Sequence, residues 1–285
     1  MAEAAGAGMA TAPRAPVLAP PHAGAAEVEV AVLGPVEVRG AARPFSRAYS
    51  LDLVVYLAMH RQGATTEAWS TALWPDRVMA RPTLHSTASA ARRSLGRGSD
   101  GRDHLPHGHG RLRLAPTVAS DWQRFEAAAA AGDPSSWRAA LALVRGRPFD
   151  GLRSPDWTVL EGLAAGVEEA VVALALRLAD RRMAAGDATE AAWAARRGLR
   201  ASPYDERLYR VLLRAADAQG NPAGVESTMW ELVRLVSGEE VVRASAPSGT
   251  ARRALAAVHP DTVALYRSLA RHRAGPLAGV GAPPP

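Results

Sequence analysis

The chain contains no cysteine, no lysine and no isoleucine, and only one asparagine, Asn221. Without cysteine, neither a disulfide nor a thiolate metal site is open to it. Without lysine, all 34 of its cationic side chains are arginine. Lysine, isoleucine and asparagine all need AT-rich codons, so a GC-rich genome accounts for their scarcity without selection for arginine. Aromatic residues are also scarce, at 5%. Long apolar runs are lacking: the longest wholly apolar helical stretch, Ala170 to Leu176, falls far short of the ~20 residues that span a bilayer. The N-terminus has no basic segment followed by a hydrophobic one, so no secretory signal is expected. A cytoplasmic protein with no membrane partner is the expectation.

What remains is ample for folding. A chain of 285 residues, 48% of them apolar, is long enough for about two domains with real cores. Alanine and arginine are both strong helix formers, so the composition leans towards helix. The net charge is +6, and it is unevenly spread. Residues 27–119 hold 12 arginines against 8 acids (+4), whereas residues from 120 onward hold 21 against 19 (+2). The basic excess leans to the first part, the direction that nucleic-acid binding requires, although its size is modest.

Residues 1–26 are alanine, glycine and proline with almost no large apolar side chains, and 274–285 are similar; both are expected to be disordered tails. Between them, residues 27–119 read as one domain and 120–273 as another. In the first, the β-branched segment from Val28 to Val38 is interrupted by Gly34-Pro35, which predicts two strands joined by a tight turn. Apolar residues at helical spacing predict a helix from Ser50 to His60. A second helix starts at Thr65 or Thr66, with Glu67 in its first turn, and closes at Trp74-Pro75. A third runs from Arg81 or Pro82 to Leu95, with Leu84, Ala88, Ala91 and Leu95 on one stripe. That stripe leaves Arg81, His85, Ser86, Ser89, Arg92 and Arg93 on or near the exposed side. The segment from His104 to Leu114 then predicts a hairpin with Gly108 and Gly110 at its turn, and Arg111 and Arg113 on one strand face.

From Ser120 the chain turns almost wholly helical, and a 34-residue spacing emerges. Leu178 aligns with Leu212, Gly186-Asp187 with Gly220-Asn221, and Leu199 with Val233. This is the period of tetratricopeptide (TPR) helix pairs. A third, irregular copy begins at Gly132-Asp133-Pro134, as a capping unit would. Trp122, Trp137, Trp157, Trp193 and Trp230 read as packing residues, and Pro148-Phe149 with Pro155-Asp156-Trp157 as a loop wedging the first helix pair against the second. The expected fold class is therefore mainly α with a small β component: an N-terminal winged helix-turn-helix followed by a TPR-like α-helical repeat domain.

Several segments match a known family in order and spacing. They are Val32-Leu33-Gly34-Pro35-Val36-Glu37-Val38, Tyr56-Leu57-Ala58-Met59-His60 and Ala72-Leu73-Trp74-Pro75. They resemble the winged helix of the antibiotic-regulatory-protein (SARP) type of bacterial transcription activators. The second half is similar to the bacterial transcriptional activator domain that follows it there, through Asp121-Trp122-Gln123-Arg124-Phe125, Gly146-Arg147-Pro148-Phe149, Ala201-Ser202-Pro203-Tyr204-Asp205-Glu206 and Gly220-Asn221-Pro222-Ala223. His259-Pro260-Asp261-Thr262-Val263-Ala264-Leu265-Tyr266 is similar to the ends of large multidomain relatives. The resemblance covers about residues 28–272. It implies a third helix that enters the major groove, a wing on the backbone, and a helical domain that supports dimerisation and contact with RNA polymerase. The family's third helix usually reads Leu-Arg-x-x-Val-Ser-Arg-Leu-Arg-Arg. Here Leu84, Ser89, Arg92 and Arg93 match, while His85 and Ala90 stand where arginine is usual.

The expected partner is thus double-stranded DNA, with RNA polymerase and a second copy of the chain as further partners. The expected contacts are Arg81, His85, Ser86, Ser89, Arg92 and Arg93 from the third helix, and His109, Arg111 and Arg113 from the wing. No cofactor is expected. His104, His107 and His109 lie about a glycine turn with no fixed geometry and no cysteine beside them, so no metal site is expected either. The adjacent acids Glu168-Glu169 and Asp205-Glu206 do not face one another on a helix, and neither a Walker pattern nor a nucleophile elbow is present. The chain is expected not to be an enzyme. The competing expectation is a protein-interaction adaptor whose winged helix has lost specific DNA binding, motivated by His85 and Ala90.

Overall fold

The computed structural model describes residues 26–108, 110–237 and 255–274. The expected tails, apart from Ala26 and Ala274, and the wing residue His109 lie outside the described residues. The first half comprises β1 (Val28–Ala31), β2 (Glu37–Arg39), α1 (Ser50–Met59), β3 (Ala64–Thr65), α2 (Thr66–Leu73), α3 (Arg81–Leu95), β4 (Arg111–Leu112) and β5 (Val118–Ser120). The second comprises α4 (Asp121–Ala130), α5 (Pro134–Ala142), α6 (Asp156–Leu160), α7 (Leu163–Ala184), α8 (Ala188–Ala201), α9 (Glu206–Ala218), α10 (Pro222–Ser237) and α11 (Pro260–Ala274).

The expected mainly helical fold with a small β component is what the chain adopts. β1 pairs antiparallel with β2, with Glu29 opposite Arg39 and Val30 opposite Val38. On its other edge β1 pairs in parallel with β5, a strand the sequence pattern does not announce. Behind this sheet α1 is buried along most of its length, including Leu53, Val54, Val55 and Leu57. Each such side chain contributes about 1.5–3 kcal/mol by leaving water. α2 starts where Thr65 Oγ1 accepts a hydrogen bond from the Ala68 amide at 3.2 Å. α3 begins at Arg81-Pro82 and ends at Gly96, whose φ of 80° is a left-handed geometry that favours glycine.

The helical half repeats one device three times. Gly132, Gly186 and Gly220 all have positive φ, and each precedes the residue that caps the next helix. Asp133 accepts from the Ser136 amide, Asp187 from the Glu190 amide and Asn221 from the Gly224 amide. The pairs α7/α8 and α9/α10 are thus the two regular copies, and α4/α5 the irregular first one. Leu178 and Leu212, one repeat apart, are both buried.

The two halves are joined by more than a linker. Asp121, at the start of α4, accepts from the amides of Val32 and Leu33 at 2.8 and 3.0 Å. Arg145 and Phe149 donate their own amides to the carbonyls of Leu33 and Val32. Gly34 passes so close to Arg145 that a Cβ there would lie 2.8 Å from the Arg145 Cβ. Asp52, in α1, accepts from the Ser154 amide, and the Ser154 hydroxyl donates to the Leu73 carbonyl. Trp157 adds a contact that the expected wedge did not include. Beyond its place among the helices, its indole packs edge-on against Tyr56 and Phe149, at 5.0 and 6.2 Å between centroids. It therefore seals the helical half against α1.

Candidate nucleic-acid interface

α3 packs on α1, and no helix of the second half makes more than marginal contact with it among the described residues. Leu84, Ala91 and Leu95 are buried as the stripe requires, while Ala88 is only half-buried. Arg81, His85, Ser89 and Arg93 are exposed. Their periodicity follows directly from a helix with one buried stripe. Ala90 is buried, whereas His85 is exposed. Of the two departures from the usual pattern, His85 lies on the presented surface.

Two of the expected α3 contact residues, Ser86 and Arg92, are engaged inside the protein. The Ser86 hydroxyl donates to the Thr83 carbonyl of its own helix at 3.0 Å. Arg92 is half-buried and donates from Nε to the Leu105 carbonyl at 2.7 Å. Burial lowers the pKa of its guanidinium from the ordinary value, opposed by the nearby charge of Asp103. Arg92 and Arg93 both sit in the last turn of α3, where cations complement the helix dipole.

The wing differs from the expected local hairpin. β4 pairs not with residues 104–107 but with β3, placing Leu112 opposite Ala64 and Arg111 opposite Thr65. The reason lies in the segment before the turn. Pro106 has no amide to offer a ladder. His104 is buried, with its amide on the Gly96 carbonyl, its own carbonyl on the Ala115 amide and its Nδ1 on the Thr117 hydroxyl. Gly63 lets β4 approach, since a Cβ there would lie 2.5 Å from the Leu112 carbonyl oxygen. Arg111 and Arg113 are exposed and both pass close to Gly63, which keeps them on one side of the wing. Arg111 also donates to the Gly63 carbonyl at 2.7 Å, which fixes its reach.

Between these elements lies an open cleft of about 990 Å³. α2, the 75–79 loop, α3 and the wing form its walls; Arg81, His85, Ser89 and Arg92 border it, and Arg93 does not. The arrangement offers exposed cations and small polar groups on a helix beside a β flap, as contact with a duplex requires. Among the described residues, no group of three His, Asp or Glu side chains is arranged to hold a metal ion. No described helix is long and apolar enough to cross a membrane.

Residues 118–239 match the family model of the bacterial transcriptional activator domain. No curated protein matches the chain. Among solved structures, the chain is similar in fold to Mycobacterium tuberculosis EmbR, solved in complex with a low affinity phosphopeptide. The sequences are 22% identical, the TM-score is 0.53, and the likeness covers 87% of this chain and 70% of that one. At that identity the likeness is one of fold: a winged helix ahead of a helical repeat domain.

Proposed function

We propose that this chain, which has the SARP-type organisation of a winged helix followed by a bacterial transcriptional activator domain, is a DNA-binding transcription regulator. In this reading α3 and the wing contact promoter DNA, while the helical repeats contact RNA polymerase or a second copy of the chain. Such a protein works in the cytoplasm, and we assign it no catalytic role. The observation that carries the reading is the uncovered face of α3: Arg81, His85, Ser89 and Arg93 stand exposed, as do Arg111 and Arg113 of the wing. Arginine is the side chain best suited to phosphates and guanine edges, while serine and histidine can serve either backbone or base.

The test is to pass sheared genomic DNA over the full chain at low salt and sequence what is retained. Enrichment of fragments sharing a repeated sequence element supports the proposal. Absence of any retained fragment would favour the adaptor, in which His85 marks the loss of a phosphate contact.

A further inference from the structure

The cleft bordered by α2, α3 and the wing lies at the upper end of the volume range of small-molecule sites. Its lining is mixed: Leu84, Ala88, Met79 and Leu112 of the wing supply apolar surface among polar and charged neighbours such as Ser70, His85 and Ser89. The floor is made by Trp69 and Trp74, both almost fully buried, and neither indole N–H has an acceptor.

Arg92 supplies the polar anchor. Its Nε is pinned to the Leu105 carbonyl, and its terminal NH groups have no partner among the described residues, although the side chain is half-buried at the cleft wall. A planar fork held in place on one edge and open on the other is pre-organised for an oxyanion. Arg77 and Arg81 add positive charge at the same cleft, opposed by Glu67 and Asp76. The geometry points to a ligand site here, and we infer that the cleft binds a flat, largely apolar organic acid, its anionic group on the Arg92 fork and its rings between α2 and α3.

Anilinonaphthalene sulfonate, an acid on an apolar aromatic ring system, is the probe. Titrated into the full chain at neutral pH, it should show saturable fluorescence enhancement with one site per chain and should raise the thermal midpoint. Ala88→Trp, which fills the cleft from an only half-buried position, should abolish the saturable phase. Arg92→Lys, which keeps the charge and loses the fork, should weaken binding about tenfold, since a charge-assisted hydrogen bond is lost. The uncharged parent amine, anilinonaphthalene, should bind the native chain weakly and be indifferent to Arg92→Lys. Unsaturable binding, or equal binding to the parent and to a folded Ala88→Trp chain, would overturn the inference. The readout contains no DNA, so it is independent of whether the chain binds a duplex.

Discussion

Arg92 donates from Nε to the carbonyl oxygen of Leu105, 2.7 Å away, and so ties the last turn of α3 to the segment that leads into the wing. The bond divides the labour of two adjacent arginines. Arg92 fixes the angle between helix and wing, and Arg93, exposed beside it, is free for a partner.

That division has a measurable consequence. Leu105 is fully buried, so Arg92→Ala strands its carbonyl and should cost about 1–3 kcal/mol. Arg93→Ala should change stability by no more than about 0.5 kcal/mol. Urea denaturation of the two full-length variants checks this, and equal losses would contradict it.

The contact between the halves should respond to pH through Asp121. Burial is the largest influence on this carboxyl and raises its pKa above the ordinary 3.8, against the opposing pull of the Val32 and Leu33 amides and Arg145. A carboxyl with a raised folded value holds its proton more tightly when folded. Its contribution to stability is therefore fully present below 3.8 and is lost as pH rises through the folded value. Asp52 is shifted in the same direction by the same leading cause. Relative to the parent, Asp121→Asn should gain stability as pH rises through that window, read as urea midpoints over a pH series. A difference that stays constant with pH would show that Asp121 does not titrate there.

The repeated caps should be separable from the cores they precede. Asp187→Ala should lower stability by about 1 kcal/mol, and Asp187→Asn by much less, because asparagine caps nearly as well. Asp133 should behave in the same way. Thermal midpoints that fall equally for alanine and asparagine would show that charge, and not the cap, matters.

Trp157 should govern whether the halves unfold together. Removing its ring by Trp157→Ala costs about 3–5 kcal/mol and opens the seam at Tyr56 and Phe149. The parent should unfold in one calorimetric transition and the variant in two. A single transition in both would place the coupling elsewhere, in the hydrogen bonds of Asp121 and Asp52.

The parts of the fold written in local periodicity were open to reading from the sequence. α1, α2 and α3 each carry an apolar stripe and an end signal, and the glycine–cap pairs at 132, 186 and 220 announce the repeat. What stayed hidden depends on partners distant in sequence. β5 is three residues long and exists because β1 offers it an edge. β3 is two residues long and is defined by β4, some 46 positions away. The roles of Asp52 and Asp121 rest on amides 102 and 88–89 residues distant. The exposed cations of α3 followed from helical spacing, but the capture of Arg92 by Leu105 did not. Spacing fixes which side of a helix a residue occupies, not whether another segment meets it there.

The free arginines of α3 and the wing are the groups expected to grip a duplex. Each phosphate contact removed should flatten the slope of log affinity against log salt by about 0.9. The decisive measurement compares that slope for the parent and for the double variant Arg93→Ala with Arg113→Ala, on the same genomic fragment. The expected result is weaker binding with a slope shallower by about 1.8 at unchanged thermal stability. Identical affinity and slope in the two proteins would contradict the account.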